Sequence, residues 1–322
     1  MVQATYQDLG NGIYCIDSEI DRIGLAACYL IQEGDAAAFV DTGTYHTVPY
    51  LLQVLQELDI PVENVQYVIP THIHLDHAGG AGELMAHCPN ATLITHPKGA
   101  PHMIDPAKLQ AGAAAVYGEE VFAKTFGKLV PIPAKRVVAA EDGYAVEMNG
   151  RTLSFWDSPG HANHHGCILD HKTKSCFTGD TFGLSYREFD TDKGAWIVAT
   201  SSPVAFDPDA WENTLDKLTA LKPSAMLLTH YNRVTEVERL TDDLRNSVRD
   251  MKNIALSEEA QPDEGRKGRI EQKIVKAFFQ QAKDHGCQLN DEEMHRLLDM
   301  DMDLNAQGLE VWLQRRARAA QR

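Results

Sequence analysis

The sequence predicts an α/β protein in which two β-rich halves, each followed by helices, pack sheet against sheet with the helices outside. Three observations carry that reading. Up to about residue 230 the chain alternates short apolar runs with Gly, Pro, Asn and Asp turn residues, the signature of many short strands. Between those runs lie segments with apolar residues at helical spacing. From Val234 onward the strand pattern stops and only helical patterns remain. A domain over 1–256 and a helical C-terminal domain or extension over 257–322 follow from this change.

In order, Gly12–Ile16, Ala26–Ile31 and Ala36–Val40 read as strands separated by the breaks Gly10-Asn11-Gly12 and Glu33-Gly34-Asp35. Val48, Leu51, Leu52, Leu55 and Leu58 then keep one face of a helix that stops before Pro61. Val65–Ile69 is a strand, Ala81–His87 a short helix and Ala91–Thr95 another strand. Lys98 to Phe126 is alanine-rich and helix-prone with prolines at 101 and 106, and reads as a helical insert or lid. Strands resume at 136–138, 144–146, 152–156, 166–169, 175–178 and, after a helix near 210–220, at 225–229. The tail reads as a helix at 237–254, an acidic linker at 257–265, and three further helices at 270–283, 291–298 and 304–318.

The 322 residues suffice for a large core and more than one domain, and 43% hydrophobic with 24% charged residues is ordinary for a globular protein. The formal charge of −16 argues against a broad phosphate-backbone surface, so no nucleic acid is expected. The six cysteines have no C-x-x-C spacing, which suggests reduced, buried thiols. Met1 to Gly10 has neither a basic start nor an apolar stretch, and no apolar run has membrane-spanning length. A cytoplasmic location without membrane association is expected.

Chemistry concentrates at strand ends. Pro70-Thr71-His72-Ile73-His74-Leu75-Asp76-His77-Ala78-Gly79-Gly80 places three histidines and a carboxylate within six residues, directly after the strand 65–69. Such density argues for metal ligation over chance histidines in a polar loop. Three more strand ends carry candidates: His161 after Ser158-Pro159-Gly160, Asp180 after Phe177-Thr178-Gly179, and His230 after Leu227-Leu228-Thr229. Together they supply the nitrogen and oxygen donors of a two-metal hydrolytic site.

These motifs resemble those of the metallo-β-lactamase fold superfamily, closest to its glyoxalase II-like hydrolases. The stretch from Thr71 to Gly80 matches T-H-x-H-x-D-H-x-G-G, Pro159-Gly160-His161 matches P-G-H, residues 177–181 match F-T-G-D-T, and Asp41-Thr42-Gly43 matches an early D-T-G. The resemblance implies an αββα sandwich of two mixed sheets over roughly Leu9 to His230. It implies His72, His74 and His161 as ligands of one metal, Asp76, His77 and His230 as ligands of a second, and Asp180 bridging both. Asp41 is implied as the residue that fixes a ligand histidine. The sequence departs from the pattern after His161: where the family has G-H-T-x-G-H, this chain has Gly160-His161-Ala162-Asn163-His164-His165. His164 and His165 are therefore candidates for packing, for supporting a ligand, or for touching substrate.

The resemblance implies two divalent metals about 3.5–4 Å apart, zinc first with iron or manganese as alternatives, activating a bridging hydroxide that Asp76 orients. The expected reaction is hydrolysis of an ester, thioester or related acyl bond of a small molecule. A lactone or phosphodiester is the alternative on the same site, although Gly183 stands near the place where the superfamily's lactonases carry a tyrosine. The contrasting expectation is a metal-containing regulatory effector acting through its C-terminal helices, which could also form a homodimer.

Overall fold

The computed structural model describes residues 3–201 and 204–321. The chain divides into two compact units that interleave in sequence. The first runs up to Asp157 and takes in His164–Gly179 and Ser224–Arg233. The second takes in Ser158–Asn163, Asp180–Pro223 and the chain from Val234 on.

Seven strands form the first unit's larger sheet in sequence order: β1 (Tyr6–Gly10), β2 (Ile13–Asp17), β3 (Ala27–Glu33), β4 (Ala36–Val40), β5 (Val65–Ile69), β6 (Thr92–Thr95) and β7 (Val137–Ala139). It is antiparallel from β1 to β4 and parallel from β4 to β7. The crossovers carry helices α1 (Val48–Glu57), α2 (Leu75–Ala78), α3 (Ala81–His87), α4 (Ala100–Ile104), α5 (Ala107–Tyr117) and α6 (Glu119–Thr125). The second sheet is built from β8 (Ala145–Met148), β9 (Arg151–Asp157), β10 (Gly166–Asp170), β11 (Ser175–Gly179), β12 (Ala225–Leu228) and β13 (Asn232–Val234), with β11 and β12 parallel. Two mixed sheets with helices are the architecture the sequence predicts.

The period of two along the central strands explains the layering. On β3, Ala27, Tyr29 and Ile31 face the second sheet, where they meet Phe155, Ile168, Phe177 and Leu227. Cys28 and Leu30 face the opposite way, toward Leu51, Val54 and Leu55 of α1 and Leu84 and Met85 of α3. β4 divides the same way, Ala36, Ala38 and Val40 against Ala37 and Phe39. A strand covered on both faces has no polar side to present, which is why β3 and β4 read as unbroken apolar runs. A buried arginine of the second sheet, ion-paired within that sheet, reaches across to the first. Arg151 on β9 holds Asp170 through Nη2 at 2.6 Å and Nε at 3.1 Å, and its Nη1 donates to the carbonyls of Asn11 at 2.8 Å and Gln32 at 3.2 Å.

The second unit contains α7 (Pro208–Ala220), α8 (Val237–Ser257), α9 (Arg266–His285) and α10 (Asp291–Ala320). Asp207 caps α7 through Ala210 N, and Asn290 with Glu293 forms a capping box at the start of α10. Here the structure corrects one expectation. The two helices expected at 291–298 and 304–318 are a single helix of 30 residues. Asp299, Asp301 and Asp303 fall between the two expected helices, but none is a helix terminator, and each has a partner. Asp299 meets His295 at 2.7 Å, Asp301 accepts from the Tyr186 hydroxyl at 3.1 Å, and Asp303 pairs with Lys267. Among the described residues no helix is long and apolar enough to cross a membrane.

Candidate metal centre

The first unit gathers eight of the ten candidates, and the second holds His161 and Asp180. The motif after β5 is split by a short helix: His72 lies in the turn, His74 caps α2, and Asp76 and His77 stand within it. Leu75, between His74 and Asp76, is buried under Phe122 and Phe126, so the insert of α5 and α6 packs directly on the motif.

Asp76, His77 and His230 come together. Asp76 Oδ2 lies 3.4 Å from His77 Nε2 and 3.3 Å from His230 Nε2. One ligand atom from each of the three falls within 4.8 Å of the others. Burial acts to raise the Asp76 pKa. The charge of His77 and hydrogen bonds from His230 and His77 more than reverse it, holding the carboxyl well below its ordinary range. His72 Nε2 and His74 Nδ1 converge to 2.8 Å. In the second unit His161 Nε2 is 3.4 Å from Asp180 Oδ2.

The other ring nitrogens are committed elsewhere. His77 Nδ1 is 2.8 Å from Asp41 Oδ2, His230 Nδ1 is 2.7 Å from the Leu25 carbonyl, and His161 Nδ1 is 2.7 Å from the Thr200 carbonyl. Each acceptor fixes a proton on Nδ1, so Nε2, the atom that faces the carboxylate, is the one each ring would offer to a metal. A ligand histidine whose second nitrogen donates to protein is the recurring arrangement at metal sites. The donor set of imidazole and carboxylate therefore fits transition-metal ions on the geometry of this chain itself.

Asp41 is a hub. Besides His77 it accepts from Thr71 N at 2.7 Å, Thr71 Oγ1 at 3.0 Å and Thr229 Oγ1 at 2.7 Å. Thr71 Oγ1 is in turn 3.2 Å from His72 Nδ1. One buried carboxylate thus orients His77 directly and His72 through a threonine. Asp41 has φ 56°, in the left-handed region that aspartate tolerates better than most residues.

His165 is fully buried and stacks on His72 with ring centroids 4.7 Å apart; His164 is half-buried and edge-on to His74 at 5.3 Å. Gly179, at φ +48°, allows this packing, since a Cβ there would lie 2.5 Å from Thr71 Oγ1 and 2.6 Å from His165 Nε2. Gly183, at φ +75°, is equally constrained: a Cβ would come within 2.4 Å of the Val198 carbonyl, so no larger residue fits at that place. Tyr186 is buried, and its hydroxyl is bonded to Asp301.

Sequence reasoning missed the supports: Thr71 and Thr229, and the carbonyls of Leu25 and Thr200. The two threonines were findable, since each immediately precedes a candidate ligand histidine. Backbone acceptors carry no side-chain signature.

Residues 22–230 match the family described as the Metallo-beta-lactamase superfamily. A thioesterase of Emericella nidulans is 26% identical over 152 residues, 47% of this chain and 34% of that protein. An atrochrysone carboxyl ACP thioesterase of Aspergillus chevalieri is 26% identical over 154 residues, 47% of this chain and 38% of that protein. The chain thus spans little more than a third of the length of these curated relatives. A metallo-beta-lactamase family protein of Thermus thermophilus has a similar fold, with TM-score 0.65 and 20% identity over 97% of this chain and 96% of the other.

Proposed function

As the chain belongs to the Metallo-beta-lactamase superfamily, we propose that it is a two-metal hydrolase of acyl bonds, with a small-molecule thioester as its substrate class. The observation that carries this reading is the set of candidate ligand histidines whose second nitrogens are held by Asp41, Leu25 and Thr200. In the proposed site His72, His74 and His161 hold one metal, Asp76, His77 and His230 hold the other, and Asp180 serves both. Zinc is the first candidate. Metals bound there would supply a water acidified to near-neutral pKa and positive charge for the oxyanion.

The chain's own residues do the positioning. Asp76 would accept a hydrogen bond from the attacking water while remaining a ligand. Asp41 and Thr71 keep the histidines in the tautomer that ligation needs. Thioester chemistry is favoured because relatives matching about half of the chain are named thioesterases. Lactone hydrolysis is the lesser option, since Gly183 has no room for a hydroxyl-bearing side chain.

The test is thiol release from acyl thioesters, run beside esters, lactones and phosphodiesters with metal-loaded protein. Turnover should be greatest on a thioester. Asp76→Ala should lower kcat by about 10³ or more with its circular dichroism unchanged, the scale of removing a group that orients the reacting water. Absence of turnover on every acyl substrate would refute the reading.

A further inference from the structure

We propose that Asn305 on α10 and Ser247 on α8 position His161 for metal binding by holding the segment 197–201, so that the C-terminal helices are a working part of the metal site. This rests on the reading of His161 as a ligand.

The orientation of the His161 ring depends on the Thr200 carbonyl, 2.7 Å from its Nδ1. That carbonyl is only as fixed as the peptides on either side of it. Val198 is tied to Leu184 by an isolated bridge, and the segment belongs to neither sheet. Side chains from three helices take over the role of a neighbouring strand. Gln281 on α9 donates to the Ile197 carbonyl at 3.2 Å, and Ser247 Oγ accepts from Ala199 N at 2.9 Å. Asn305 then brackets Thr200. Its Oδ1 accepts from Ser201 N at 2.6 Å, its Nδ2 lies 3.5 Å from the Ala199 carbonyl, and its own carbonyl accepts from Ser201 Oγ at 3.3 Å.

The sequence of α10 shows how unusual this is for a packing face. Its buried face runs from Met294 to Leu313 and is apolar but for Asp301 and Asn305, four residues apart. Burying a carboxylate and an amide on an apolar stripe costs stability unless each is bonded. Both are spent on the chain between β11 and α7, Asp301 at Tyr186 and Asn305 at Ser201. A helix that served only to cover a core would carry leucines there.

The experiment is zinc titration of the full-length apoprotein against a chromophoric chelator, with bound metal counted by elemental analysis. Wild type should take two ions. Asn305→Ala should weaken one of them about tenfold or more, the usual effect of removing a support behind a ligand, and leave the other within about twofold. Ser247→Ala, a milder change, should weaken the same ion, and carries the test if N305A does not fold. Leu298→Ala is the control: it loosens the same buried face of the helix but removes no hydrogen bond to the segment, and should keep both affinities. Unchanged affinities in N305A and S247A, or equal loss in L298A, would overturn the proposal. Wild type that binds no metal would instead bring down the ligand reading of His161 and this inference with it.

Discussion

At the scale of single residues, Asp41 concentrates the dependence of the site on one buried group. It accepts from Thr71, His77 and Thr229 at once, and through Thr71 reaches His72. Asn at this position keeps the shape but turns a donor toward donors. Asp41→Asn should therefore weaken metal binding by about 10–100-fold, measured by chelator competition; unimpaired binding would show that the histidines orient themselves. The candidate ligands were legible because side chains that bind metal cluster at strand ends, and the D-T-G motif pointed to Asp41. The carbonyls of Leu25 and Thr200 were not legible, because any residue can supply a carbonyl. The thiols offer a second residue-scale test. All six cysteines are buried, and burial pushes Cys15 and Cys88 up to about 12. Native protein at pH 8 should react slowly with a disulfide reagent and release its full thiol count only in denaturant. Rapid labelling in the native state would contradict this burial. The result also bears on the thioester assay, since slow native thiols leave its readout to the substrate.

At the scale of elements, the central strands were readable because a strand buried on both faces has only one composition available to it. β4 and β5 coincide with the runs at 36–40 and 65–69. The short edge strand β1, with its half-exposed Tyr-Gln-Asp-Leu, carried too little periodicity to find. α10 is one helix where two were expected: Asp299, Asp301 and Asp303, between the two expected helices, each find a partner, two of them far away in sequence on Tyr186 and Lys267. The Arg151–Asp170 pair is the element-scale device most open to measurement. Burial acts to raise the Asp170 pKa, and the bonds from Arg151 and Thr173 reverse it, so the folded value is depressed. A depressed carboxyl stabilises the fold above its unfolded pKa, near 4, and that contribution is lost as pH falls through the lower folded value. Asp170→Asn should cost about 3–5 kcal/mol at pH 7, because it leaves a buried guanidinium without its charge partner. Urea unfolding of wild type and variant should then converge below about pH 4. Equal stability at pH 7 would show that the pair contributes nothing net.

At the scale of the whole molecule, the sequence and the structure divide the question in the same place. The candidate ligands sit on the family's common frame, and its chemistry of activated water can be argued from them. Beside that frame, the insert of α5 and α6 packs on Leu75 of the motif, and His164 stands edge-on to His74. A net charge of −16 disfavours nucleic acid but does not separate one acyl compound from another. The likeness to the Thermus thermophilus protein covers nearly the entire chain. The C-terminal helices thus lie within the fold that the two proteins share.

The central claim is a centre that holds two metals. Elemental analysis of protein purified without added metal tests it most directly. The account predicts two transition-metal ions per chain, zinc first, falling in Asp41→Asn while the protein stays folded. Folded wild-type protein that holds one ion or none, even after incubation with excess metal, would contradict it.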